Sequence, residues 1–70
     1  MPYVNVQITA GATREQKAEI VRDITDSLVR VLGKKPANTH VVIQEIPLDN
    51  WGIGGMLTED YHRQAHIREV

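Results

Sequence analysis

Seventy residues leave room for one small domain, 1–70, and a chain this short buries only about 60% of the surface that it exposes when unfolded. Cysteine is absent, which excludes disulfides and thiolate metal sites and leaves association between copies as the remaining source of stability. A net charge of −1 offers no footprint for nucleic acid or an anionic membrane, and with no long apolar run, signal peptide or lipidation motif, a soluble cytoplasmic protein is expected.

Pro2 directly follows Met1. If Met1 is removed, the proline nitrogen becomes a secondary amine with a basic lone pair held by the ring. With Met1 attached it is a non-basic amide. From Tyr3 to Ile8 the chain alternates, with Val4, Val6 and Ile8 on one side and Tyr3, Asn5 and Gln7 on the other, which predicts a half-buried strand. Thr9 to Ala12 turn the chain, and Thr13 with Gln16 forms a capping box that opens a helix over 14–32. Ile20, Val21, Ile24, Leu28, Val31 and Leu32 recur at three- and four-residue spacing and predict its buried stripe. Lys17, Glu19, Arg22, Asp23, Asp26 and Arg30 are expected on solvated faces.

Gly33 stands where a left-handed cap ends a helix, with Lys34 and Lys35 near the negative end of the dipole and Pro36 beyond. His40 to Ile46 contains the run Val41-Val42-Ile43 and reads as a strand covered on both faces. Strand, helix and strand make a βαβ unit with parallel strands. Pro47 stops the pairing and Leu48-Asp49-Asn50 turns. The segment from Trp51 to Met56 is too rich in glycine for a helix and too apolar for an idle linker, so a short hairpin crossing onto a neighbouring subunit is expected. Thr58 opens a short tail helix to about Ile67, and 58–70 is read as a tail extension.

Taken together, Pro2 ahead of an alternating strand, Gly11 before Thr13-Arg14-Glu15-Gln16-Lys17, Val42-Ile43-Gln44-Glu45 and Trp51-Gly52-Ile53-Gly54-Gly55 resemble the tautomerase superfamily, small-subunit 4-oxalocrotonate tautomerase group. The resemblance covers residues 2 to about 57. It implies an α/β (α+β tautomerase-like) βαβ subunit with a C-terminal hairpin, paired into dimers and a trimer of dimers whose active sites are shared between neighbours. It further implies keto-enol proton transfer on a small 2-hydroxydienoate or enolpyruvate-type acid, with Pro2 as general base and then acid and no cofactor. A free α-amino group titrates at about 7.7 to 8.0, and burial or nearby cations lower that value toward neutrality, which suits the role.

Two arginines that characterised members use for carboxylate and carbonyl are replaced here by Ala12 and His40. Candidate substrate contacts are therefore His40, Arg14 on the first helical turn, and Trp51 as an apolar wall. Without two guanidinium forks a dicarboxylate should bind poorly, which favours a monocarboxylate, ketone or aromatic enol. A hydratase- or dehalogenase-like activity lacks an evident carboxylate to activate water. A non-catalytic binding oligomer is the reading from another class. Glu59, His62 and His66 lack a fixed fourth ligand, so no metal is expected. Gly52 to Gly55 lacks the strand before and the helix after that a phosphate loop needs.

Overall fold

Parallel strands joined by a long helix organise the molecule. The computed structural model describes residues 1–68, with side chains as far as Gln64. Its elements are β1 (Tyr3–Thr9), α1 (Arg14–Leu32), β2 (His40–Ile46), β3 (Gly52–Ile53), β4 (Met56–Leu57) and α2 (Thr58–Arg68). Short 3-10 turns at Pro36–Asn38 and Leu48–Asn50 flank β2. β1 and β2 pair in parallel, from Tyr3 opposite His40 to Thr9 opposite Ile46, while β3 and β4 form an antiparallel hairpin. β1 therefore runs one residue beyond the expected Ile8, because Ile46 supplies a partner for Thr9.

The helix ends where its caps dictate. Thr13 Oγ1 accepts from the Gln16 N–H at 3.1 Å and Gln16 Oε1 accepts from the Thr13 N–H at 2.9 Å, so two of the amides that a helix start leaves unpaired are satisfied. At the other end Gly33 takes φ 67°, donates to the Val29 carbonyl at 3.0 Å, and lets Lys34 reach the Leu28 carbonyl at 3.4 Å. That left-handed position disfavours any side chain, so Gly33 stops α1 and turns the chain toward β2.

α1 covers one face of the sheet. Val4, Val6, Ile8, Val41, Ile43 and Glu45 are half-buried on that face, and Ile20, Val21, Ile24 and Leu28 are half-buried on the helix. The expected stripe is correct for those four residues and wrong for Val31 and Leu32, which are 68% and 60% exposed. Nineteen helical residues span about 28 Å and seven strand residues about 23 Å, so the last turn overhangs the sheet. β2 differs as well: within one protomer it is covered on one face only, and Val42 is 42% exposed beside Gln44 on the open side.

Lys17 departs from the solvated role expected of it. It pairs with Glu45 at the inward register of β2, and the second carboxylate oxygen accepts from the Gly11 N–H at 3.2 Å. One carboxylate thus ties the β1–α1 turn, the second turn of α1 and the end of β2 together. The Lys17 hydrogen bond, helped by that of Gly11 and opposed by partial burial, holds the Glu45 carboxyl below its ordinary value of 4.5. A lowered folded value means that the pair stabilises the fold above about pH 4.5 and that this contribution is lost as pH falls through the folded value. Thermal melts between about pH 3 and 6 should show this loss, and Glu45→Gln should flatten that part of the acid limb while lowering the melting temperature at neutral pH.

Among the described residues no hydrophobic side chain is fully buried in a single protomer. The radius of gyration is 16.7 Å, with extents of 50 × 23 × 20 Å, against about 11 Å for a compact chain of this length. Burying a Val, Leu or Ile side chain completely is worth about 1.5–3 kcal/mol, and half-burial leaves much of that unrealised. In a single protomer one sheet face is uncovered and the outer edges of β1 and β2 are unpaired among the described residues, and parallel pairs are seldom left open to water in this way.

Candidate active site

Pro2 stands at the head of β1, half-buried, and its carbonyl accepts the His40 N–H at 3.0 Å. That hydrogen bond extends the β1–β2 pairing by one step and fixes the proline against the start of β2. Met1, 88% exposed, projects from its nitrogen. The geometry thus anchors Pro2 through its carbonyl while its nitrogen carries only an exposed residue. His40, opposite Tyr3, is exposed on the uncovered sheet face.

The remaining candidates lie at the other end. Arg14 opens α1 just after the turn that follows β1 and is exposed. Trp51 follows the 3-10 turn after β2 and is half-buried. It borders a shallow depression of about 210 Å³ that is also lined by Gln7, Ile46, Asn50 and Gly52. Gln7 is five residues along β1 from Pro2, or about 16 Å at roughly 3.3 Å per residue. The four candidates therefore fall into two pairs, Pro2 with His40 and Arg14 with Trp51, at opposite ends of one sheet. A single protomer does not bring them together.

The main chain of Trp51 is held firmly. Its N–H donates to the Leu48 carbonyl at 3.1 Å, and its carbonyl accepts both the N–H of Thr58 at 2.9 Å and its hydroxyl at 2.5 Å. A wider, open depression of about 410 Å³ follows the hairpin from Gly52 to Leu57. At the hairpin tip, Gly54 and Gly55 have φ 63° and 81°. Two-residue strands cannot stand unaided, and here α2 backs them.

Residue-by-residue reading missed Lys17, Glu45 and Thr58 as organisers of this region. A signal for the first two was present: Glu45 continues the inward series Val41, Ile43, and Lys17 precedes Ile20, Val21 and Ile24 by helical spacing. A charge at an inward register asks for a partner. Of the tail residues, Glu59 and His62 are placed on α2, whereas the side chain of His66 lies outside the described residues, as do positions 69–70 of the tail. No described helix is long and apolar enough to cross a membrane.

Known proteins agree with this architecture. The family model for the tautomerase enzyme matches residues 2–61. The "Probable tautomerase K2" of Dickeya dadantii is 48% identical over 66 residues, which cover 93% of this chain and 98% of that protein. The 2-hydroxymuconate tautomerase of Pseudomonas putida is 35% identical over 63 residues, covering 90% and 100%. The crystal structure of DmpI from Helicobacter pylori superimposes with a TM-score of 0.79 at 32% identity, over 84% of this chain and 98% of that one. The chain belongs to the tautomerase superfamily, as a small-subunit member of the 4-oxalocrotonate tautomerase-like group, and its general activity is that of a tautomerase.

Proposed function

We propose that this tautomerase moves a proton between oxygen and carbon of a 2-hydroxydienoate or enolpyruvate-type acid, using the nitrogen of Pro2 after Met1 has been removed. The observation that carries the reading is the placement of Pro2: the family match begins at this residue, and its carbonyl is locked to His40 while its nitrogen bears only an exposed Met1. As a free secondary amine it takes the enol hydroxyl proton. The oxygen electrons form the carbonyl, the conjugated double bond shifts, and the resulting ammonium returns a proton to carbon. No cofactor is required, because a proton next to a carbonyl is within reach of an amine poised near neutrality.

His40, beside the proline, offers a hydrogen bond to the substrate carboxylate or carbonyl. Arg14 and Trp51 of another copy supply a cation and an apolar wall. Assembly follows from this division of labour, since two protomers placed head to tail bring the Pro2 end of one beside the Trp51 end of the other. Dimers and a trimer of dimers satisfy that geometry. A 2-hydroxymuconate-type dicarboxylate is the substrate class suggested by the Pseudomonas putida relative, yet Ala12 and His40 provide no guanidinium fork. The preferred substrate is therefore a monocarboxylate or aromatic enol. Phenylenolpyruvate should show a KM about tenfold or more below that of 2-hydroxymuconate, since leaving the second carboxylate desolvated without a charged partner costs about 1–3 kcal/mol or more.

The test compares two forms of the protein, separated by intact mass. The form beginning at Pro2 should ketonise both enols, with a pH profile rising through a pKa at or below about 7.7–8.0. The form retaining Met1 should show only the background rate. Equal rates from the two forms would overturn the proposal.

A further inference from the structure

We infer that α2 positions Trp51 for catalysis, with Thr58 and Tyr61 as positioning residues that act on the pocket wall from outside the pocket. This rests on the reading of Trp51 as that wall. Thr58 is the first residue of α2, where an N–H has no partner inside its own helix. It gives that N–H, and its hydroxyl as well, to one acceptor, the carbonyl of Trp51. With the Trp51 N–H already bonded to Leu48, both polar main-chain atoms of the tryptophan are engaged, one of them doubly. The backbone torsions that aim the indole are fixed from both sides.

Tyr61 lies one turn further along α2 and secures the other end of the same hairpin. Its ring rests on Gly54 so closely that a Cβ there would lie 2.8 Å from Cε2 and 3.0 Å from Cδ2. Gly54 is therefore needed twice, for its positive φ and for the room that the ring takes. Thr58 grips the residue before β3 and Tyr61 grips the tip between β3 and β4. A hairpin with only two residues per strand depends on support from outside itself: α2 meets both strands, and the 3-10 turn at Leu48–Asn50 meets β4. The tail helix thus acts as a brace whose length and composition tune how tightly the wall closes on an aromatic or extended enol, separately from the chemistry at Pro2.

Trp51 is the only tryptophan, so its fluorescence reports its setting directly. Thr58→Val keeps the side-chain shape and removes the hydroxyl donor. It should shift the emission to the red and raise KM for phenylenolpyruvate about three- to tenfold, the range expected for one lost hydrogen bond, with kcat changed by less than about twofold. Thr58→Ser should restore both readings, and Tyr61→Leu should move them in the same direction as Thr58→Val. Circular dichroism and size-exclusion chromatography select the folded variants. A folded Thr58→Val with native emission and native KM overturns the inference, as does a Thr58→Ser that is no better than Thr58→Val. Trp51→Leu separates the two levels: if it raises KM while Thr58→Val does not, the bracing role fails alone. If neither raises KM, the pocket-wall reading fails and takes the inference with it.

Discussion

Pro2→Ala, processed to a free N-terminus, should lose about two orders of magnitude or more in kcat/KM while remaining folded. Alanine also permits removal of Met1, so the variant still presents an α-amine, but a primary one whose lone pair is no longer held by a ring. General base catalysis by a positioned group contributes about 10²- to 10⁴-fold, and an amine free to rotate forfeits much of the positioning. Stability should change little. The hydrogen bond that fixes residue 2 runs from the His40 N–H to a backbone carbonyl that alanine retains, and Pro2 is only half-buried. Steady-state kinetics on phenylenolpyruvate, with intact mass to verify the terminus, make the comparison. A kcat/KM within about threefold of the parent would remove Pro2 from the chemistry and leave the fold without its proposed base.

Much of the scaffold could be read from local patterns. The alternation from Tyr3 to Ile8, the Thr13–Gln16 box and Gly33 with its positive φ are short-range signals, and each fixes an element boundary to within a residue. The tail helix was equally legible from Thr58. What escaped was long-range. Lys17 and Glu45 are 28 positions apart, and only the seating of α1 on β2 makes them neighbours. The exposure of Val31 and Leu32 depends on the difference between helix and strand lengths, which a helical wheel does not contain. The double hydrogen bond from Thr58 to Trp51 depends on how the chain folds back after the hairpin.

The division of the site, by contrast, is written into the topology. In a parallel βαβ unit both strand starts share one end and the turns that follow the strands share the other. Pro2 and His40 belong to the first group, Gly11, Ala12, Arg14 and Trp51 to the second. Sequence proximity concealed this, since Pro2 and Arg14 are only twelve positions apart while the whole of β1 separates them in space. The family resemblance implies sites shared between neighbours, but which candidate residues fall at which end follows only from the strand order and pairing.

Mixing experiments turn that separation into a sharp expectation. A chain carrying Pro2→Ala and a chain carrying Trp51→Ala should each be weak alone, the first by about a hundredfold and the second by about tenfold or more through loss of its aromatic wall. If every site takes Pro2 from one protomer and Trp51 from another, random association at a one-to-one ratio leaves half of the sites with Pro2 and half of those with Trp51. About a quarter of the sites are then native, and activity should rise to about 25% of the parent, several times the mean of the two variants. If one protomer supplied both residues, no mixture could contain a native site and activity would stay at that mean. Exchange of subunits by dilution from denaturant, with mass spectrometry to count mixed assemblies, sets the denominator. Recovery that tracks the mixed fraction would locate each reaction centre at a junction between copies, where the exposed sheet face and unpaired strand edges of the lone protomer find their purpose. A flat response despite abundant mixed assemblies would place Pro2 and Trp51 of each site on one protomer, whereas a Trp51→Ala chain as active as the parent would place Trp51 outside the site.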